Sequence, residues 1–202
     1  MSQNYLPIAK PKNLTRRGLL KKGSVTLIGL TAMLQGSTRL LNAEESTEMT
    51  IVTLVNVLKS TQNSVCEAAA NRLMLGHEKN RSNYDLHLRR ASLSSTEIEQ
   101  IAAAIQAVHH QGGPALHSVS LSYNNLSDQV MMNFLKALPP TLTELGLVQC
   151  GLSDTGGEAL LAWASGATKL QMICVEQNAF SQHIKGKLSA LGQQRLGLLV
   201  VV

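Results

Sequence analysis

The sequence predicts an α/β solenoid, a stack of coils that each contribute one short strand and one helix, with a helical cap in front of them. Three observations lead there. From about residue 83 similar segments recur at intervals of 26 to 33 residues. Within each segment apolar residues alternate as in a half-buried strand and then recur at helical spacing. Aromatic residues are only 3% of the chain against 44% hydrophobic, so the core must be filled by aliphatic side chains in regular layers.

Residues 1–43 stand apart. They carry 7 of the 18 lysines and arginines and no acidic residue, whereas residues 44–202 are slightly acidic. The basic character therefore belongs to the first segment, and a nucleic-acid-binding body is not expected. A polar start leads into Thr15-Arg16-Arg17-Gly18-Leu19-Leu20-Lys21. A modestly apolar run from Val25 to Leu34 follows, then Leu41-Asn42-Ala43 before Glu44. This is the order of a secretory signal peptide. The run is about half of the ~20 residues that a membrane-spanning helix needs. Residues 15–21 resemble a twin-arginine (Tat) export signal, with both arginines, the preceding Thr15 and the trailing Leu20-Lys21 in place. The resemblance implies transient contact with the Tat translocase and delivery of a bacterial protein to the periplasm. A basic helix capping the repeats, or a basic segment on a membrane surface, is the alternative.

Residues 44–80 hold no repeat. Met49 to Leu58 and Val65 to Leu75 read as two helices separated by Ser60–Ser64, a hairpin suited to covering the apolar end of a solenoid.

The repeats occupy residues 81–202. Segments begin at Asn83, Leu116, Leu142 and Leu170, with a shortened fifth at Leu196. The second reads Leu116-His117-Ser118-Val119-Ser120-Leu121-Ser122-Tyr123-Asn124-Asn125-Leu126, and the others follow the same pattern. The ninth position holds Asn124, Cys150 or Asn178, at a turn where a polar group can bond backbone of the neighbouring coil. Ser94, Ser127, Ser153 and Ser181 follow as helix caps. The helices after them offer apolar faces: Ile98, Ile101, Ala102, Ile105 and Val108; then Val130, Met131, Phe134, Leu135 and Leu138; then Ala159, Leu160 and Trp163. Neither face of a single coil can be buried by that coil alone, so stacking is obligatory. The first segment departs from the pattern, with Asn83 and Ala91 where Leu and Asn are expected. The last segment is wholly apolar from Leu198 to Val202, an open strand edge or a surface for a partner.

Segments of this form, with a full helix in each, resemble the ribonuclease-inhibitor class of leucine-rich repeats. The resemblance implies a leucine-rich-repeat solenoid with parallel β-strands on the concave side and helices on the convex side. It also implies that strand residues between the leucines face solvent and bind another protein. The residues so placed are His87, Arg89 and Arg90; Ser120, Ser122 and Tyr123; Gly146, Val148 and Gln149; and Cys174, Glu176 and Gln177. Tyr84 and Ser118 share the same expectation.

Other chemistry is weakly marked. The three cysteines, Cys66, Cys150 and Cys174, are odd in number and form no CxxC pair, so neither a disulfide framework nor a zinc site is expected. Cys150 is expected to be buried and Cys174 exposed. His109-His110 reads as a polar link, and Gly156-Gly157 as helix-start glycines without a phosphate-loop pattern. No catalytic motif and no cofactor is expected. The function expected is that of a non-enzymatic, exported protein-binding module. Two alternatives remain: an accessory subunit of a Tat-exported redox enzyme, and a leucine-rich-repeat effector delivered into a host cell. The export reading has a direct test. Replacing Arg16 and Arg17 by Lys abolishes appearance of the protein in the periplasmic fraction; unchanged localisation rejects the signal.

Overall fold

A computed structural model describes residues 51–202. The segment 1–43, with Arg16 and Arg17, and residues 44–50 lie outside the described residues. Among the described residues the fold is α/β, with one five-stranded, all-parallel sheet and six helices. Helix α1 covers 51–60 and α2 covers Ser64–Glu78. Then strand and helix alternate: β1 (Asn83–His87), α3 (Ser95–His110), β2 (Ala115–Ser120), α4 (Asp128–Ala137), β3 (Glu144–Gly146), α5 (Asp154–Gly166), β4 (Met172–Cys174), α6 (Gln182–Gln194) and β5 (Leu199–Val201).

The strands pair in chain order, β1 to β5. From α3 to α6 each helix packs on the next. Every strand–helix unit therefore lies beside its predecessor, a solenoid-like arrangement. Val119, Leu145, Ile173 and Val200 lie side by side in the register. One step on, Leu121, Leu147 and Val175 donate to the carbonyls of Gly146, Cys174 and Val201 of the following coil. All three are at most 1% exposed, so they form one aliphatic layer beneath the sheet.

The turn asparagines do what their position predicts. Asn178 Oδ1 accepts from the backbone N–H groups of Cys150 (3.0 Å) and Leu152 (3.1 Å), and its Nδ2 donates to Leu147 and Val175 carbonyls, both at 2.8 Å. Asn124 does the same one coil earlier, accepting from Leu93 N–H and donating to the carbonyls of Leu88 and Leu121. In the first coil, where Ala91 replaces the asparagine, Asn63 of the cap donates to the Ala91 carbonyl at 2.6 Å. It also caps α2 by accepting from Val65 and Cys66 N–H. The four expected cap serines, Ser94, Ser127, Ser153 and Ser181, are all N-caps. Coils are further tied where Asp128 accepts from both the backbone N–H and the hydroxyl of Ser153, and Asp154 accepts from Ser181 N–H at 2.7 Å. Arg195 donates to the carbonyls of Ala164 and Ala167 at the end of α5, adding to the bonds these accept from the Ala167 and Leu170 N–H groups.

Three expectations need correction. The apolar face of α5 is formed by Gly156, Gly157, Leu160 and Ala164, while Ala159 and Trp163 are only half-buried. The glycines are there for close approach: a Cβ on Gly157 would meet Ile184 Cγ2 at 2.5 Å and Phe180 at 3.2 Å. The first coil begins its core at Tyr84 rather than Asn83. Tyr84 pairs with Leu116 and Asp85 with Ser118, so β2 carries one extra residue, His117, at a bulge. In the last coil Leu196 is fully exposed and Leu198 is buried. Both terminal coils thus separate their first two core positions by two residues, against three in the coils between.

The asparagine contacts carry a prediction. Asn178→Ala leaves two buried N–H groups without an acceptor and costs ~3 kcal/mol in urea unfolding, whereas Gln129→Ala on the exposed side of α4 costs less than ~0.5 kcal/mol.

Candidate functional site

The alternation that sends leucines inward sends their neighbours outward, and the parallel register lines these up in rows across the sheet. One row runs Asp85, Ser118, Glu144, Met172 and Leu199. The next runs His87, Ser120, Gly146, Cys174 and Val201. Continuing outward along each coil come Arg89, Ser122, Val148 and Glu176. In the second and third rows small side chains occupy the middle and longer ones the sides, while Glu144 stands at one end of β3. The result is an open groove of about 440 Å³.

The groove gathers ten of the twelve residues expected on this face: His87, Arg89, Ser120, Ser122, Tyr123, Gly146, Val148, Cys174, Glu176 and Gln177. Arg90 and Gln149 are exposed but lie outside it. Arg90, Tyr123, Gln149 and Gln177 are the equivalent residue of successive coils, and all have positive φ, between 51° and 64°. The chain turns there from strand to helix-bound loop, which leaves Tyr123 and Gln177 on the groove's rim and Arg90 and Gln149 outside it.

Not every residue expected in solvent is exposed. Ser122 is 3% and Ser118 5% exposed. Ser122 Oγ accepts from Val148 N–H and from Ser120 Oγ, each at 3.1 Å. Ser118 Oγ lies 3.0 Å from His87 Nε2. These hydroxyls are short enough to fold onto the sheet and are covered by longer neighbours. Gly146 is the reason they fit: a Cβ there would sit 2.8 Å from Ser120 Oγ and 3.2 Å from Ser122 Oγ. Cys174, expected exposed, is half-buried between Glu144 and Glu176.

Charge divides the groove. On one side stand His87 and Arg89, and the guanidinium groups of Arg89 and Arg90 lie 5.2 Å and 4.6 Å from the Tyr123 ring centroid. On the other stand Glu144 and Glu176. Glu176 Oε2 is buried and accepts no hydrogen bond from any described residue. His117, freed by the bulge, pairs with Asp85 at 3.2 Å, so His87 and His117 serve different partners.

The thiols are quiet. Burial pushes Cys174 up, reinforced by Glu176 and then Glu144. Burial likewise raises Cys66, and raises Cys150 to about 11. A raised thiol stays protonated and is a poor nucleophile or metal ligand at neutral pH. His109 and His110 end α3 as exposed residues. No family model matches the chain, and no curated protein matches it.

Sequence patterning located the face but not the groove's central floor, since burial of Ser118 and Ser122 depends on neighbours from two other coils.

Cys150 sets an alkaline limit. Its pKa lies above the unfolded value of about 9. Its stabilisation is therefore complete below pH 9 and is lost as pH rises through 11, a loss of roughly 2–3 kcal/mol. The urea midpoint falls between pH 8.5 and 10.5, and Cys150→Ala makes that fall shallower.

Proposed function

We propose that this chain is a non-catalytic protein-binding module, a leucine-rich-repeat protein of the ribonuclease-inhibitor type, exported by the Tat route, that grips a partner in the sheet-face groove. The repeat class is supported by the consensus from Leu116 onward and by the backbone contacts of Asn124 and Asn178. The export route is supported by the Thr15–Lys21 motif. Three protonated thiols argue for recognition rather than nucleophilic chemistry.

One observation carries the binding site: Glu176 Oε2 is buried in the groove wall without a hydrogen-bond donor among the described residues. A carboxylate oxygen so placed is stabilised by a donor from outside the described residues, which we take to be a partner's. With Arg89 and His87 on the opposite wall, the groove suits a partner segment that brings a basic side chain to Glu176 and an acidic one to Arg89. Parallel strands lie ~4.8 Å apart, so the three strand steps from β1 to β4 set those two groups ~14 Å apart, about four or five extended residues.

A second reading, the accessory subunit of an exported redox enzyme, is favoured by a different surface. Leu196 is fully exposed and Leu199 is 55% exposed beside the outer edge of β5, an apolar margin suited to docking on a larger protein.

A photo-crosslinking residue at Gln177, on the groove rim, tests the first reading against one at Gln129, on α4. The expected result is a discrete adduct in whole cells from position 177 only, reduced at least ~10-fold by Glu176→Gln or Arg89→Glu. Equal adducts from both positions, or adducts indifferent to those substitutions, reject the groove as the site. An adduct only from a probe at Leu199 replaces it with the second reading.

A further inference from the structure

A second cavity, of about 190 Å³, opens where the cap meets the first coil, between α2 and β1. We propose that it binds a small organic anion: one carboxylate or phosphate group on an apolar body the size of a single ring.

The walls are held by defined structure. Helix α2 ends in a Schellman turn: Asn80 N–H donates to the His77 carbonyl at 2.8 Å, and Arg81 N–H to the Gly76 carbonyl at 3.0 Å. Asn80 takes the left-handed position, φ 51°. This reversal lays the Arg81 stem over Gly76, where an added Cβ would stand 3.7 Å from Arg81 Cδ. Arg72, one turn earlier on α2, faces the same space. Neither guanidinium has a carboxylate or carbonyl partner among the described residues. The one acidic group in the lining, Asp85, is engaged by His117.

Tyr84 points independently to a ligand. It is 9% exposed, lines the cavity, and its hydroxyl has no hydrogen-bond partner among the described residues. Its ring is buried while its hydroxyl is left open to the cavity. Burial also holds this phenol protonated far above neutral pH, so it is available as a donor. Two guanidinium forks, which can only donate, and a neutral O–H, which can donate, together suit an oxyanion. Ile51, Leu73 and Pro114 supply the apolar side. Size limits the body, since a dry cavity of about 150 Å³ holds one benzene ring.

Calorimetry on the full chain with four probes decides. Benzoate and phenyl phosphate share the body and differ in the oxyanion; benzylamine reverses the charge; inorganic phosphate lacks the body. At least one of the ring anions is expected to bind 1:1, at least ~10-fold tighter than benzylamine or inorganic phosphate. Which of the two is tighter separates a carboxylate from a phosphate ligand. Arg72→Gln and Arg81→Gln each weaken binding ~10-fold, and Tyr84→Phe ~3- to 10-fold, with unchanged melting temperature. Arg81→Lys, which keeps charge but loses the fork, falls between. Amide shifts on titration should move at Gly76, Arg81 and Tyr84 and not at Gly146. No saturable binding by either ring anion, equal binding of benzylamine or phosphate, or indifference to the double arginine variant overturns the proposal.

Discussion

A coil of this chain cannot satisfy its own backbone. After each strand the main chain turns through a buried corner where N–H groups and carbonyls have no helical or sheet partner. Asn178 supplies acceptor and donors to that corner from the following coil, and Asn124 does so one coil earlier. Because the bonds run between coils, the register of each coil is set by its neighbour, and the aliphatic layer of Leu121, Leu147 and Val175 falls into line beneath the sheet. The corner where Ala91 stands would break this ladder, and Asn63 of the cap restores it. The cap is thus a polar template for the first coil as well as an apolar cover.

The same constraint shapes the outer face. With leucines committed inward by the pleat, every intervening residue is presented on one surface, in rows set by the parallel register. Whether a row is flat or hollow then depends on side-chain size. Serines in β2 and Gly146 in β3 leave the middle low, while Arg89 and Glu176 stand at the two sides. Gly146 joins the two roles, since its missing Cβ lets Ser120 and Ser122 reach each other and the Val148 amide.

The terminal coils obey different local rules. A bulge in β2 moves the first coil's core position to Tyr84 and releases His117 to Asp85. The last coil buries Leu198 in place of Leu196. Pattern matching extended the interior spacing to both ends and was wrong at both. An end coil has a strand neighbour on one side only, so nothing forces it to keep the spacing of the middle. Tyr84 is misplaced for that reason: read in the interior register it points to solvent on the binding face, whereas in the actual register it is buried and lines a cavity.

Read alone, the sequence determined the alternation of strand and helix, the parallel order, the serine caps, the turn asparagines and the face on which strand side chains emerge. Those features follow from periodicity and from short-range hydrogen bonding, which depend on residues near one another in the chain. Only the tertiary structure decided that Ser118 and Ser122 are floor rather than rim, that Glu176 lacks a donor among the described residues, and that two arginines line one cavity with Tyr84 beside the cap. Each of these depends on the size and reach of side chains from different coils, a relation that spacing along the chain does not encode.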